Sequence, residues 1–102
     1  MSIKKQFLKA KPVCKVTFKI SKEQASGANE ATVVGEFNNW NETSDTMKKL
    51  KDGSFSATLN LESGRSYQFR YLLDGTIWIN DNEADGYQNS GIGSEENGII
   101  SL

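Results

Sequence analysis

Between Val13 and Ile20 the chain alternates without a break. Cys14, Val16, Phe18 and Ile20 are apolar, and Lys15, Thr17 and Lys19 between them are polar. A period of two with one apolar side predicts a strand that buries one face. Pro12 opens this segment, where a missing N–H does least harm. The same period recurs in SFSATLNL (54–61), with Phe55, Ala57, Leu59 and Leu61 on one side. It recurs again in SYQFRYLL (66–73), with Tyr67, Phe69, Tyr71 and Leu73 inward and Gln68, Arg70 and Leu72 outward. Shorter runs at ATVVGEF (31–37), MKKL (47–50), TIWIN (76–80) and GIISL (98–102) are read as four further strands. Asp-Gly pairs at 52–53 and 74–75 and the ESGR run at 62–65 supply turns between them. SKEQASGANE (21–30) reads as a polar loop. The polar stretch 81–97 reads as a long connection of the kind that often carries function. The one helical hint is a turn near Lys4–Lys9.

About seven short strands separated by turn signals predict an all-β, immunoglobulin-like sandwich, with a small barrel as the alternative. Its expected core holds Cys14, Val16, Phe18, Phe55, Leu59, Phe69 and Tyr71. Residues 1–11 read as a basic N-terminal arm and 12–102 as a single immunoglobulin-like module. Nothing in the pattern demands a large apolar interface, so a monomer is expected. Pairing through the last strand is the route by which copies would associate.

Composition narrows the chemistry. At 102 residues and 36% hydrophobic, the chain is one ordinary globular domain, and no apolar run approaches the ~20 residues that cross a bilayer. There is no histidine, which removes the commonest general base, the Ser-His and Cys-His pairs and the commonest metal ligand. One cysteine and scattered acids make no zinc site, and Cys14 is read as a small core residue. No cofactor is implied. The lone cysteine and the absence of an apolar stretch near the start point to the cytoplasm rather than secretion. Seven lysines and no acid fill the first 22 residues, and no Lys or Arg follows Arg70. With no nucleic-acid motif beside them, the lysines are read as a solvated arm and strand face, and neither nucleic acid nor a membrane is expected as partner.

The large aromatics that fall outside the alternating core positions are more informative. Trp40 stands just past a strand in VVGEFNNWN, Trp78 in a short strand after a turn, and Tyr87 in the long polar stretch. Asparagines crowd the same segments: Asn38, Asn39, Asn41, Asn80, Asn82, Asn89 and Asn97. A sugar ring has an apolar C–H face and a rim of hydroxyls, which an indole and short amides can meet. A protein interface also favours Trp, Tyr and Arg, so composition leaves both readings open. DNEADG (81–86) has the start of a calcium loop, but Ile92 occupies the position that requires a bidentate Glu. GIGSEENG lacks the strand-to-helix setting of a phosphate loop.

VVGEFNNW, followed by YQFRYLLDGTIWIND and ENGIISL, resembles the family-48 carbohydrate-binding modules. These include the glycogen-binding domain of the AMP-activated protein kinase β subunit and the early-set domains of isoamylases and branching enzymes. The resemblance runs from Val13 to Leu102 and implies an immunoglobulin-like sandwich that binds α-1,4-linked glucans such as glycogen and starch. It matches Trp40 to the family's first sugar-stacking tryptophan and Arg70 to its basic strand residue. Trp78 matches the second tryptophan, at a spacing one residue longer than in the kinase subunit, and Asn97 the sugar-bonding asparagine. Ile92 is the counterpart of a leucine that contacts the sugar ring. The resemblance further implies a non-catalytic module, with a glycogen-metabolising enzyme as a companion, since catalytic members carry their chemistry in a separate barrel. The alternative is an early-set protein-interaction module that has lost sugar binding.

Overall fold

The computed structural model describes residues 2–89 and 96–102. Two antiparallel sheets face each other across one apolar core. The first sheet has the order β1-β2-β5-β4, formed by β1 (Ser2–Phe7), β2 (Val13–Ile20), β5 (Phe55–Glu62) and β4 (Lys48–Lys49). The second has the order β3-β6-β9-β8, formed by β3 (Ala31–Gly35), β6 (Ser66–Leu73), β9 (Glu96–Ser101) and β8 (Gly86–Asn89), with β7 (Ile77–Ile79) also paired to β6. Two open sheets with distinct edges make this a sandwich and not a closed barrel.

The alternating strands land as their pattern demands. Cys14, Val16, Phe18 and Ile20 of β2 are fully buried, and so are Phe69 and Tyr71 of β6. Phe18 is the aromatic hub, 5.3 Å from Phe69, 5.8 Å from Phe37 and 6.4 Å from Tyr71, ring centre to ring centre, within the range where aromatic pairs attract. Leu59 is only partly buried, packed against the margin of the core. At the β5–β6 corner the Tyr67 hydroxyl donates to the Glu62 carbonyl at 2.8 Å, a tyrosine corner that ties the crossing between sheets. Tyr67→Phe removes that partly buried bond, so the expected cost is about 1 kcal/mol, measured by urea unfolding.

Several expectations need correction. The segment near Lys4–Lys9 is not a helical turn. It belongs largely to β1, which pairs with β2 in register from Ser2↔Lys19 to Phe7↔Cys14. Lys5, at an inward position between Ile3 and Phe7, breaks the alternation and hides the strand. Its ammonium donates to Asp85 Oδ2 at 2.6 Å and to the Ser101 carbonyl at 2.9 Å, tying β1 to the opposite sheet. Burial raises the Asp85 carboxyl, but the Lys5 hydrogen bond, the Ser101 N–H and the Lys5 charge outweigh it and hold Asp85 below the usual carboxylate range. SKEQASGANE contains a four-residue helix, α1 (Lys22–Ala25), whose first turn is capped by the Ser21 hydroxyl accepting from Gln24 N–H. The 81–97 stretch is not structureless: it includes β8 and the first residues of β9. The last strand is not an edge, since β9 lies between β6 and β8 and cannot add a further strand.

Candidate functional site

Each residue of Phe37-Asn38-Asn39-Trp40 has a separate task. Phe37 turns into the core, 5.8 Å from Phe18 and 6.0 Å from Tyr67. Asn38 is the latch. Its Oδ1 accepts from Gly35 N–H at 3.1 Å, and its Nδ2 donates to the Val33 carbonyl at 3.1 Å and to Asp45 Oδ2 at 2.7 Å. Those bonds occupy the Asn38 amide, so it holds the turn and has little left for a ligand. Asn39 takes the left-handed backbone (φ 56), which asparagine tolerates, and Trp40 follows in the same region (φ 58). A bulky residue there is an outlier that costs of order 1–3 kcal/mol. The Trp40 N–H donates to the Gly35 carbonyl at 2.8 Å, which closes the turn at the end of β3.

Gly35 permits this arrangement by having no side chain. A Cβ there would lie 2.5 Å from the Gln68 carbonyl oxygen, 2.8 Å from Phe69 Cβ and 2.9 Å from the Phe37 ring. The turn thus packs directly on β6, the strand that carries Arg70.

The remaining candidates come from the outer face of the second sheet. β3 flanks β6 on one side, and β9 and β7 lie end to end on the other. Arg70 is paired with Val34 of β3, and Leu72 with Trp78 of β7. Directly paired residues share a face, so Arg70, Leu72, Val34 and Trp78 all point away from the core. Val34 and Leu72 are nonetheless buried and form an apolar floor. The Arg70 guanidinium carbon lies 5.6 Å from the centre of the Trp78 ring, a cation–π contact. The extra residue before Trp78 therefore leaves it beside Arg70. Trp40 and Trp78 are each 37% exposed. They approach β6 from opposite sides, and the Gly35↔Phe69 and Trp78↔Leu72 pairs put their strands about 10 Å apart along it.

Asn97 is less available than its match suggests. It is 8% exposed, and its Nδ2 donates to Gln68 Oε1 at 3.1 Å. Gln68, whose own N–H donates to Glu36 Oε1 at 2.7 Å, thus enters the site as the partner of Asn97. Its outward position on SYQFRYLL was legible, but nothing in the sequence coupled it to Asn97. Asn80 joins β7 to β9 through a 2.8 Å bond from its Nδ2 to the Glu96 carbonyl. Ile92 lies outside the described residues. Tyr87 stands apart: it is paired with Gly98, which faces the core, and its hydroxyl donates to the Asp81 carbonyl at 2.6 Å.

DNEADG is a structural corner. Asp81 is 1% exposed, with Oδ1 accepting from Glu83 N–H at 2.7 Å and Oδ2 from the buried Tyr71 hydroxyl at 2.6 Å. Burial first, and then the Asp81 charge and hydrogen bond, raise the Tyr71 phenol far above its ordinary range and keep it a donor. Among the described residues no cluster of acids, cysteine or histidine could hold a metal ion. The shallow depressions beside α1 are lined by residues such as Lys22, Lys49 and Ile77 and do not include Arg70 or Trp78.

Comparison with known proteins meets this geometry. The family model for the glycogen recognition site of AMP-activated protein kinase matches residues 16–97. That span includes Trp40, Arg70, Trp78 and Asn97. A chloroplastic/amyloplastic 1,4-alpha-glucan-branching enzyme of Oryza sativa subsp. japonica is 34% identical over 67 residues, covering 59% of this chain. The match spans only 8% of that enzyme's length. With most of the chain matched by the family model, from within β2 into β9, the chain belongs to the carbohydrate-binding module family of the AMP-activated protein kinase glycogen recognition site.

Proposed function

We propose that the chain is a non-catalytic module that binds α-1,4-linked glucan, of the glycogen or starch type, on the outer face of β6 and its neighbours. Trp40 is the main platform and Trp78 the second. Arg70 bonds sugar hydroxyls, and Asn97 joins once Gln68 yields its amide. The observation that carries this reading is Arg70 and Trp78 side by side on an apolar floor, with Trp40 held at the end of β3 in a backbone conformation that bulky residues avoid. A site on the face of a sheet suits a polymer, whose chain must enter and leave at the sides.

Such a surface removes little area from water, so the expected binding free energy is on the order of −4 to −7 kcal/mol, roughly millimolar to tens of micromolar. Stacking rests on dispersion and apolar contact, so binding is expected to change little with salt, unlike that of a polyanion held by the lysines. Calorimetric titration with maltoheptaose at low and high salt tests this. Saturable, nearly salt-independent binding supports it. No heat at about 10 mM sugar, which is beyond the weakest affinity expected, sinks the glucan site and leaves the protein-interaction reading. The relative is named as a 1,4-alpha-glucan-branching enzyme, and an enzyme that builds or trims such glucans is the companion we propose. In this reading the module works as a monomer in the cytoplasm and brings its companion to the polysaccharide.

A further inference from the structure

A second surface lies on the opposite sheet. β1 is the end strand of its sheet, and among the described residues no strand pairs with its outer side. The Leu8 N–H donates to the Val13 carbonyl at 3.1 Å. Bonded pairs alternate along an antiparallel ladder, so the even-numbered residues of β1 turn their backbone groups toward β2. Those of Ile3, Lys5 and Phe7 turn outward, free to pair with a further strand.

The side chains say what that strand must carry. On the outward face, Lys4 shares a surface with Lys15 and Lys19 of β2 and Lys48 of β4. The side chains between them are hydroxyls and amides, and none of these four lysines takes part in the ion pairs of the described residues, which are Lys5–Asp85 and Arg65–Glu62. On the inward side of β1, Ile3 packs against the core margin, while Phe7 is 57% exposed, a large apolar side chain with its next strand missing. A strand laid along β1 places its side chains alternately beside Ile3, Lys5 and Phe7, where Asp85 already neutralises Lys5, and beside Lys4. The first set must be apolar and the second acidic.

A second copy does not fit. Pairing through the free edge joins odd residues to odd and even to even, so antiparallel self-pairing centred on β1 sets Lys4 against Lys4 or Lys5 against Lys5 of the other copy, and like charges directly opposite repel. The lysines therefore exclude self-association while admitting an acidic strand, so one device serves both selectivity and solubility. Nucleic acid is disfavoured because the lysine face offers neither an arginine nor an aromatic for a base to stack on.

We propose that the free edge of β1 is a docking site for an extended segment of a partner protein, about six residues long, in which acidic and apolar residues alternate. The segment adds to the sheet as a further strand. This site is independent of glucan binding and lies on the other sheet from Arg70, so both surfaces can be engaged at once.

The test uses an acetylated, amidated peptide of alternating valine and glutamate, with amide hydrogen exchange read residue by residue by NMR. Binding is expected to protect the N–H groups of Ile3, Lys5 and Phe7 and leave those of Lys4 and Gln6 unchanged. The affinity should weaken as salt rises, and Lys4→Glu should weaken it about ten-fold or more. The same peptide N-methylated at its valines, whose N–H groups face β1 in an antiparallel pairing that sets them beside Ile3 and Phe7, keeps its charge but cannot pair that way, and it should not bind. A valine–lysine peptide should not bind either. The proposal is overturned if the valine–glutamate peptide fails to bind at about 1 mM, the weak limit for a specific contact. It is also overturned if the N-methylated peptide binds equally well, because charge alone would then explain the result. Tighter binding of oligothymidylate or of vesicles containing phosphatidylserine, weakened by Lys4→Glu, would replace the acidic segment with a polyanion. The N-methylated control requires no variant to fold.

Discussion

Replacing Trp40 should abolish glucan binding and leave the fold intact, and glycine should be the more stable replacement. The indole is the platform, so both Trp40→Ala and Trp40→Gly are expected to give no measurable heat with maltoheptaose at concentrations that saturate the native protein. Their stabilities should fall in an unusual order. In ordinary strand or helix interiors, alanine outranks glycine by about 0.5–1 kcal/mol. At Trp40 the backbone is left-handed (φ 58), so alanine keeps the steric penalty and glycine does not. Trp40→Gly should therefore unfold at higher urea than Trp40→Ala, by about 1 kcal/mol. Against native protein, Trp40→Ala loses only the contacts of a partly buried ring, and Trp40→Gly offsets that loss by relief of strain, so neither variant should be severely destabilised. Equal binding by Trp40→Ala and native protein would remove Trp40 from the site. Equal stability of the two variants would mean that the turn opens at little cost.

Gly35→Val should cost about 4 kcal/mol or more, as large as emptying the core by Phe69→Ala, for which about 3–5 kcal/mol is expected. The conflict is steric and not conformational, since Gly35 has an extended backbone (φ −172) that any residue adopts. A Cβ would meet the Gln68 carbonyl oxygen, Phe69 Cβ and the Phe37 ring inside 3.0 Å, and the first two belong to the central strand of the sheet. A flexible side chain could swing aside, but a strand paired on both sides cannot. The turn would have to lift from β6, breaking the bonds that Asn38 makes to Gly35, Val33 and Asp45. Thermal unfolding followed by circular dichroism reads the effect, and a fall in midpoint of only a few degrees, below about 1 kcal/mol, would refute the close packing.

The two variants separate presentation from platform. Gly35→Val should weaken glucan binding because the turn is displaced. Trp40→Gly should abolish it with the turn in place.

The sequence by itself determined the sandwich and its core. Cys14, Val16 and Phe18 on β2 and Phe69 and Tyr71 on β6 alternate so regularly that shifting either strand by one residue would bring its apolar set to the surface. The outward direction of Arg70 followed from the same period. The tight turn before Trp40 was legible from Asn38 and Asn39, residues that favour turns and tolerate unusual backbone angles. What only the tertiary structure decided were the contacts between segments distant in the chain. β1 was invisible because Lys5 stands where an apolar residue belongs, and only the opposite sheet supplies Asp85 to receive it. Asn38, one of several asparagines in the sequence, became a latch when Asp45 came within 2.7 Å. Asn97 acquired Gln68 across the β6–β9 pairing, and Arg70 acquired Trp78 only once β7 folded back beside β6. A residue's face is set by its neighbours in the chain and repeats every second position. Its polar partner is set by strand order and register, which local alternation leaves free.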